Sequence, residues 1–231
     1  MATGLFKTSL VKKFWMSLTG LFLITFLVVH CFVNAAIFVN DGGMTFNKWA
    51  HFMGTNLLIR TMEIVLFLGL ILHIVDGLML YFQNRKARPV RYAKEKSSAS
   101  STWYSRSMAL LGTLILLFLV MHLYHFWFKT RITHHLSVVP AKIAYGGLMY
   151  EDLYGEMKIV FQQLWVVVIY VLGCISLFWH LLHGFKSAFQ SLGLNYTKYK
   201  NTIAFAGDAF SVLIPAIFAA MPLAIYFKWI V

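Results

Sequence analysis

The sequence of 231 residues predicts an all-α integral membrane protein folded as a single domain over residues 1–231. Three observations carry that expectation. Hydrophobic residues make up 60% of the chain and charged residues only 12%, which is more apolar surface than a soluble domain of this size can hide. Five mostly apolar runs, approximately 14–39, 57–83, 106–129, 158–187 and 204–230, are each long enough to cross a hydrocarbon core about 30 Å thick. The cations are also unevenly shared between the two sides that these runs define, as topology demands.

The first run has no small-residue cleavage site behind it, so it reads as a span that stays in the mature chain rather than as a removed signal peptide. Residues 40–56 open with DGG and continue as FNKWAHFMG, a short interfacial helix carrying His51. After the second run, residues 84–105 form a polar loop that contains KSSASST. Residues 130–157, with His134, His135 and Pro140, form the largest exposed element on the other side. The fourth run is the longest, and it tilts or projects beyond the bilayer. Pro215 and Pro222 imply local bending in the fifth. Trp15, Trp49, Trp103, Trp127, Trp165 and Trp229 lie near span ends as interfacial anchors, whereas Trp179 lies deeper.

Charge orients the bundle. Thirteen of the 20 Lys and Arg fall on the N-terminal side: Lys7, Lys12, Lys13, Arg85, Lys86, Arg88, Arg91, Lys94, Lys96, Arg106, Lys186, Lys198 and Lys200. The N-terminus is therefore expected in the cytoplasm. The basic run NRKARPVRYAKEK serves that topology and offers a docking surface to a soluble partner. A basic run beside membrane spans needs no nucleic acid to explain it.

Each of the first four runs carries a histidine in its second half: His30, His73, His122 and His183. An ionisable ring in hydrocarbon is expensive unless something binds it. The alternation of span direction puts His30 and His122 at one level, toward the outside, and His73 and His183 at another, toward the cytoplasm. Two imidazoles at one level are a pair of axial ligands for a low-spin haem iron, suited to electron transfer. With no C-x-x-C-H in the chain, both haems would be b-type. His125 and His180 each stand three residues from a ligand position, and spacing alone leaves them open as replacements. Cys31 and Cys174 lie in apolar surroundings and read as inert. FLVVH in the first run recurs as FLVMH in the third, which suggests two similar hairpins forming a four-helix bundle with the fifth helix alongside.

Ser17-Leu18-Thr19-Gly20-Leu21-Phe22-Leu23 ahead of His30, the triplet His122-Leu123-Tyr124 and the pair His183-Gly184 carry a resemblance. In these residues and in its five-span layout, almost the whole chain resembles the dihaem cytochrome b membrane anchor of succinate:menaquinone oxidoreductases and quinol:fumarate reductases. The resemblance implies a bacterial cytoplasmic membrane and two haems b, a distal one on His30 and His122 and a proximal one on His73 and His183. It sets His125 and His180 aside as ligands. It implies a flavoprotein subunit and an iron–sulfur subunit on the cytoplasmic face, with menaquinone as exchangeable substrate. The dicarboxylate chemistry of the tricarboxylic acid cycle would belong to those subunits, and this chain carries no catalytic residue for it.

Ser17 stands where the family contacts a haem propionate, and Arg106 and Lys186 lie near enough to that level to join it. Arg60 and Glu63 pair with each other or, with His51, Gln162 and Gln163, line a quinone site toward the outside. Where some fumarate reductases carry a proton-conducting acid two positions before the fourth-span ligand, this chain has Leu181, although Asp76 is another acid within a span. The other readings are the same wiring run in reverse as a fumarate reductase, a cytochrome b of another respiratory complex, and a non-redox transporter using histidine relays.

Overall fold

The structure, a computed structural model, describes residues 9–86, 102–194 and 198–230. The KSSASST stretch and the greater part of the basic run lie outside them. Five helices are long and apolar enough to cross a membrane, spanning Val11–Phe38, Leu57–Lys86, Met108–Thr133, Leu164–Ser191 and Lys200–Tyr226. The chain has the character of a multi-pass membrane protein.

In chain order, α1 (Ser9–Asn34) ends in a 3-10 turn at Ala35–Phe38 and leads to the short α2 (Met44–Thr55), which carries His51 as expected. The second span is α3 (Leu57–Lys86). It has no fully buried side chain among its 30 residues, so its apolar surface is left for lipid. A single turn, α4 (Trp103–Arg106), precedes α5 (Met108–His122), which continues as a π-helix over Leu123–Thr133. β1 (Lys142–Tyr145) and β2 (Leu148–Glu151) then pair antiparallel, Tyr145 opposite Leu148. Gly146 and Gly147, with φ of 58° and 82°, make the turn between them. Two consecutive left-handed residues in a two-residue hairpin strongly favour glycine. The sequence reading expected helices and loops alone, so this hairpin is an addition to the all-α class.

The fourth run, read as one span over 158–187, is two helices. α6 (Leu153–Phe161) stops, Gln163 takes an extended conformation (φ −90°, ψ 111°), and α7 starts afresh at Leu164 and runs to Ser191. α8 (Lys200–Tyr226) stays continuous through Pro215 and Pro222, both buried. Pro215 cannot donate to the carbonyl of Ser211, one turn earlier. The Ser211 hydroxyl itself donates to the carbonyl of Gly207 at 2.6 Å.

Helix neighbours define a ring: α1 packs on α3 and α7, and α5 packs on α7 and α3. The two diagonals are therefore α1 with α5 and α3 with α7. α8 lies outside the ring against α7 and α1, as the fifth helix alongside a four-helix bundle. The tightly packed core sits at the hairpin end, where Ile37, Phe46, Tyr154, Phe161, Val166 and Tyr170 come together.

Polar anchors hold that end. Asn47, 0% exposed, donates to Asp152 Oδ1 and accepts from the Tyr154 amide, each at 2.9 Å, while Asp152 caps α6 by accepting from the Gly155 amide. Glu156, also 0% exposed, accepts from Lys129 Nζ and from the Ser137 amide, each at 2.5 Å, and from the Val138 amide. Burial opposes the charge on Glu156. These donors outweigh it and hold the carboxyl below its ordinary value.

Candidate functional site

Both diagonals of the ring are bridged by histidines. His30 on α1 faces His122 at the end of α5, with ring centres 5.8 Å apart. His73 on α3 faces His180 on α7, with ring centres 6.2 Å apart. Depth in the sequence pairs His73 with His183. The structure brings His180 there instead, and His183 lies beside Tyr104, ring centres 6.5 Å apart. Spacing leaves His180 open, and it is the His183-Gly184 resemblance that sets it aside; α7, starting at Leu164, brings His180 level with His73.

Two helices serve as rulers for the separation of the levels. On α1, Thr19 touches His73, and His30 follows eleven residues later, roughly 16 Å along the helix. On α5, Gly112 faces His180, and His122 follows ten residues later, roughly 15 Å. The two levels therefore fit within one hydrocarbon core.

Each pair has one ring tethered through Nδ1 and one that is not. The Thr19 hydroxyl donates its hydrogen to the carbonyl of Trp15 at 2.9 Å, so toward His73 Nδ1, 3.2 Å away, it is an acceptor. That arrangement suits the tautomer with its proton on Nδ1, whose Nε2 keeps its lone pair free. Asn34 Nδ2 donates to the His30 carbonyl at 2.8 Å and lies 3.3 Å from His30 Nδ1. The Nδ1 atoms of His122 and His180 are buried and have no hydrogen-bond partner among the described residues. Such an orphaned polar atom costs about 1–3 kcal/mol.

The surroundings of the His30–His122 pair are apolar and aromatic. Phe26 and Phe218 lie against His30, and Phe118 stacks on His122 with ring centres 5.6 Å apart. Gly173 makes that stack possible, because a Cβ there would lie 2.7 Å from the Phe118 ring. His125 turns away from the pair and shares a hydrogen bond with the Tyr170 hydroxyl at 3.1 Å. Trp179 sits against Trp103, with ring centres 4.8 Å apart, and stacks on Tyr104.

Among the described residues, no three His, Cys, Asp or Glu side chains gather as a metal centre. The histidines come in twos, too few protein ligands for a zinc site and the right number for the axial positions of a haem iron. Two metal–nitrogen bonds of about 2 Å, with each ring centre about 1 Å behind its nitrogen, separate the ring centres by about 6 Å. Both observed pairs match that separation, so these residues fit the group. Comparison with protein-family models, with curated proteins and with solved structures finds no match for this chain.

The remaining expected site residues divide. Ser17 is buried, and its hydroxyl donates to the carbonyl of Lys13 at 2.8 Å. Lys186 pairs with Asp208 of α8 at 2.6 Å, and Arg106 ends α4 with an exposed side chain. Glu63 gathers a polar cluster at the hairpin end: Arg60 Nη1 donates to it at 2.6 Å, Trp127 Nε1 at 2.7 Å, and Arg131 Nε lies 3.9 Å away. Arg131 also donates to the carbonyl of Gly54. Gln162 and Gln163 are exposed between α6 and α7, and His51 lies against Tyr150 of the hairpin. The sequence reading did not single out Trp127 or Arg131 as partners of Glu63. The only signal available was three polar side chains near the ends of two antiparallel spans.

Proposed function

We propose that this chain is the cytochrome b membrane anchor of a succinate:menaquinone oxidoreductase, with His30 and His122 holding one haem b and His73 and His180 the other. The observation that carries the proposal is the pair of diagonal histidine contacts at two depths, each with an orphaned buried Nδ1 on one ring. Bound there, two haems would supply one-electron transfer between the two ends of the bundle. Thr19 orients the His73 ring through Nδ1, and Phe118 stacks on His122. The aromatic lining keeps water away from His30 and His122.

The end opposite the hairpin would face the cytoplasm, where an iron–sulfur subunit carrying a flavoprotein subunit docks against the basic segments. Glu63, held by Arg60 and Trp127 near the His30–His122 level, is the group placed to hold or release a proton at its Oε atoms for menaquinone. Ser17, Arg106 and Lys186, the last also paired with Asp208, are the candidates for propionate contacts.

The test is a reduced-minus-oxidised absorption spectrum of the purified chain with quantitative haem extraction. Two b-type haems per chain are expected, and a chain that carries none refutes the proposal. Co-purification of soluble flavin and iron–sulfur subunits separates this anchor from cytochromes b of other respiratory complexes.

A further inference from the structure

At the end opposite the hairpin, α1 and α3 leave a groove of about 330 Å³ between them, open to the outside of the ring. Its walls are Lys12, Trp15 and Thr19 from α1 and Leu72, Asp76 and Met79 from α3. The register explains the groove. Residues 12, 15 and 19 share one face of α1, residues 72, 76 and 79 share one face of α3, and the helices run antiparallel. Most of the wall is apolar, but it carries one cation and one anion.

Lys12 and Asp76 sense each other electrostatically, yet no ion pair within 4.0 Å joins them among the described residues. Neither side chain has a hydrogen bond among those residues. An aspartate on a membrane span, facing outward with no direct partner, is expensive. α3 is about 45 Å long against a core of about 30 Å, so it projects at its ends, and from Asp76 the groove runs toward one of those ends through Met79 and Lys12. Phospholipid headgroups border the core at that end.

We propose that this groove binds one zwitterionic phospholipid with a primary-amine headgroup. Its phosphate meets Lys12, its ammonium meets Asp76, and an acyl chain lies against Trp15, Leu72 and Met79. The charge pattern selects this occupant. A lipid with phosphate alone satisfies Lys12 and leaves Asp76 facing a like charge. A quinone has no cation for Asp76. The upper end of the groove is Thr19, which tethers His73, so the bound lipid packs beneath the support of that ring. The inference stands whether or not the histidines carry haem.

The experiment is native mass spectrometry of the full chain released from mild detergent, with phosphatidylethanolamine, phosphatidylglycerol or menaquinone added in separate arms. Wild type should retain one phosphatidylethanolamine. Lys12→Ala and Asp76→Asn should each weaken retention by at least about tenfold, the loss of one charge-assisted contact. Asp76→Asn should strengthen retention of phosphatidylglycerol, a gain that misfolding would not produce. Three results would overturn the proposal: equal retention of the two lipids by wild type, indifference to both substitutions, or selective retention of menaquinone that these substitutions abolish.

Discussion

His73 and His180 stand at equal depth on facing helices: each lies sixteen residues beyond the first residue of its helix, Leu57 in α3 and Leu164 in α7. Equal depth on opposite corners of the ring is what lets two rings meet across its interior. His183, three residues further along, is turned toward α4 and its aromatic side chains.

Ligand exchange follows directly. His180→Ala should lose one of the two haems and cut electron delivery from the soluble subunits, whereas His183→Ala should retain both. Haem stoichiometry from extraction and a redox titration of each variant decide it. Loss of a haem from His183→Ala alone would restore the pairing that the resemblance implies.

Thr19 provides a subtler test, because it touches no iron. Thr19→Val removes the acceptor for His73 Nδ1, and loss of such a support costs about 10–100-fold in metal affinity. The haem on His73 should therefore be lost first on dilution or titrate at a shifted potential, with the other unchanged. Thr19→Ser should rescue it, since a serine hydroxyl can accept the same bond.

Glu63 should separate quinone chemistry from haem binding. Glu63→Gln should leave both haems in place and slow succinate-driven menaquinone reduction by roughly 10²-fold, the scale of a lost proton-transfer group. Full activity in this variant would make the cluster with Arg60, Trp127 and Arg131 a purely structural anchor.

The Lys129–Glu156 pair predicts a pH dependence of the hairpin end. The Glu156 carboxyl is depressed in the folded chain, so its contribution is fully present above the ordinary value of 4.5 and is lost as the pH falls through the folded value beneath it. Hydrogen exchange at the Ser137 and Val138 amides should accelerate over that acidic window. Glu156→Gln should exchange faster at neutral pH and show no such transition. Glu156→Ala, which leaves Lys129 without its partner, should cost about 3–5 kcal/mol locally.

Transmembrane wiring predicts sensitivity to voltage. Electrons crossing the membrane respond to its potential by about 2.3 kcal/mol per elementary charge per 100 mV. Succinate oxidation by menaquinone in intact membranes should slow when an uncoupler collapses that potential. Equal rates in coupled and uncoupled membranes would place the quinone at the cytoplasmic end.

The resemblance puts a proton-carrying acid two positions before the fourth-span ligand; counted from His183 that position is Leu181, which is buried in the bundle, and counted from His180 it is Phe178. Asp76 does not take over the role in the structure. It faces outward into the groove with Lys12.

The sequence by itself determined that there are five spans, and placed four of them, α1, α3, α5 and α8, to within a few residues, because a run of about 20 apolar residues has one stable solution in a bilayer. It also determined the short helix with His51 and the level shared by His30 and His122, since both lie late in spans whose ends were placed well. Only the tertiary structure decided the other pairing. Hydropathy counts apolar residues and does not register backbone direction, so α6 and α7 read as one helix until Gln163 broke the run. Height along α7 then selected His180 over His183, because three residues keep a side chain on nearly the same face but move it roughly 4.5 Å along the axis, and only the packing of α7 sets which of the two stands level with His73. The partners of Glu63 and Glu156 belong to the same class. They sit far away in sequence, and only the closing of the bundle brings Trp127 to one and Lys129 to the other.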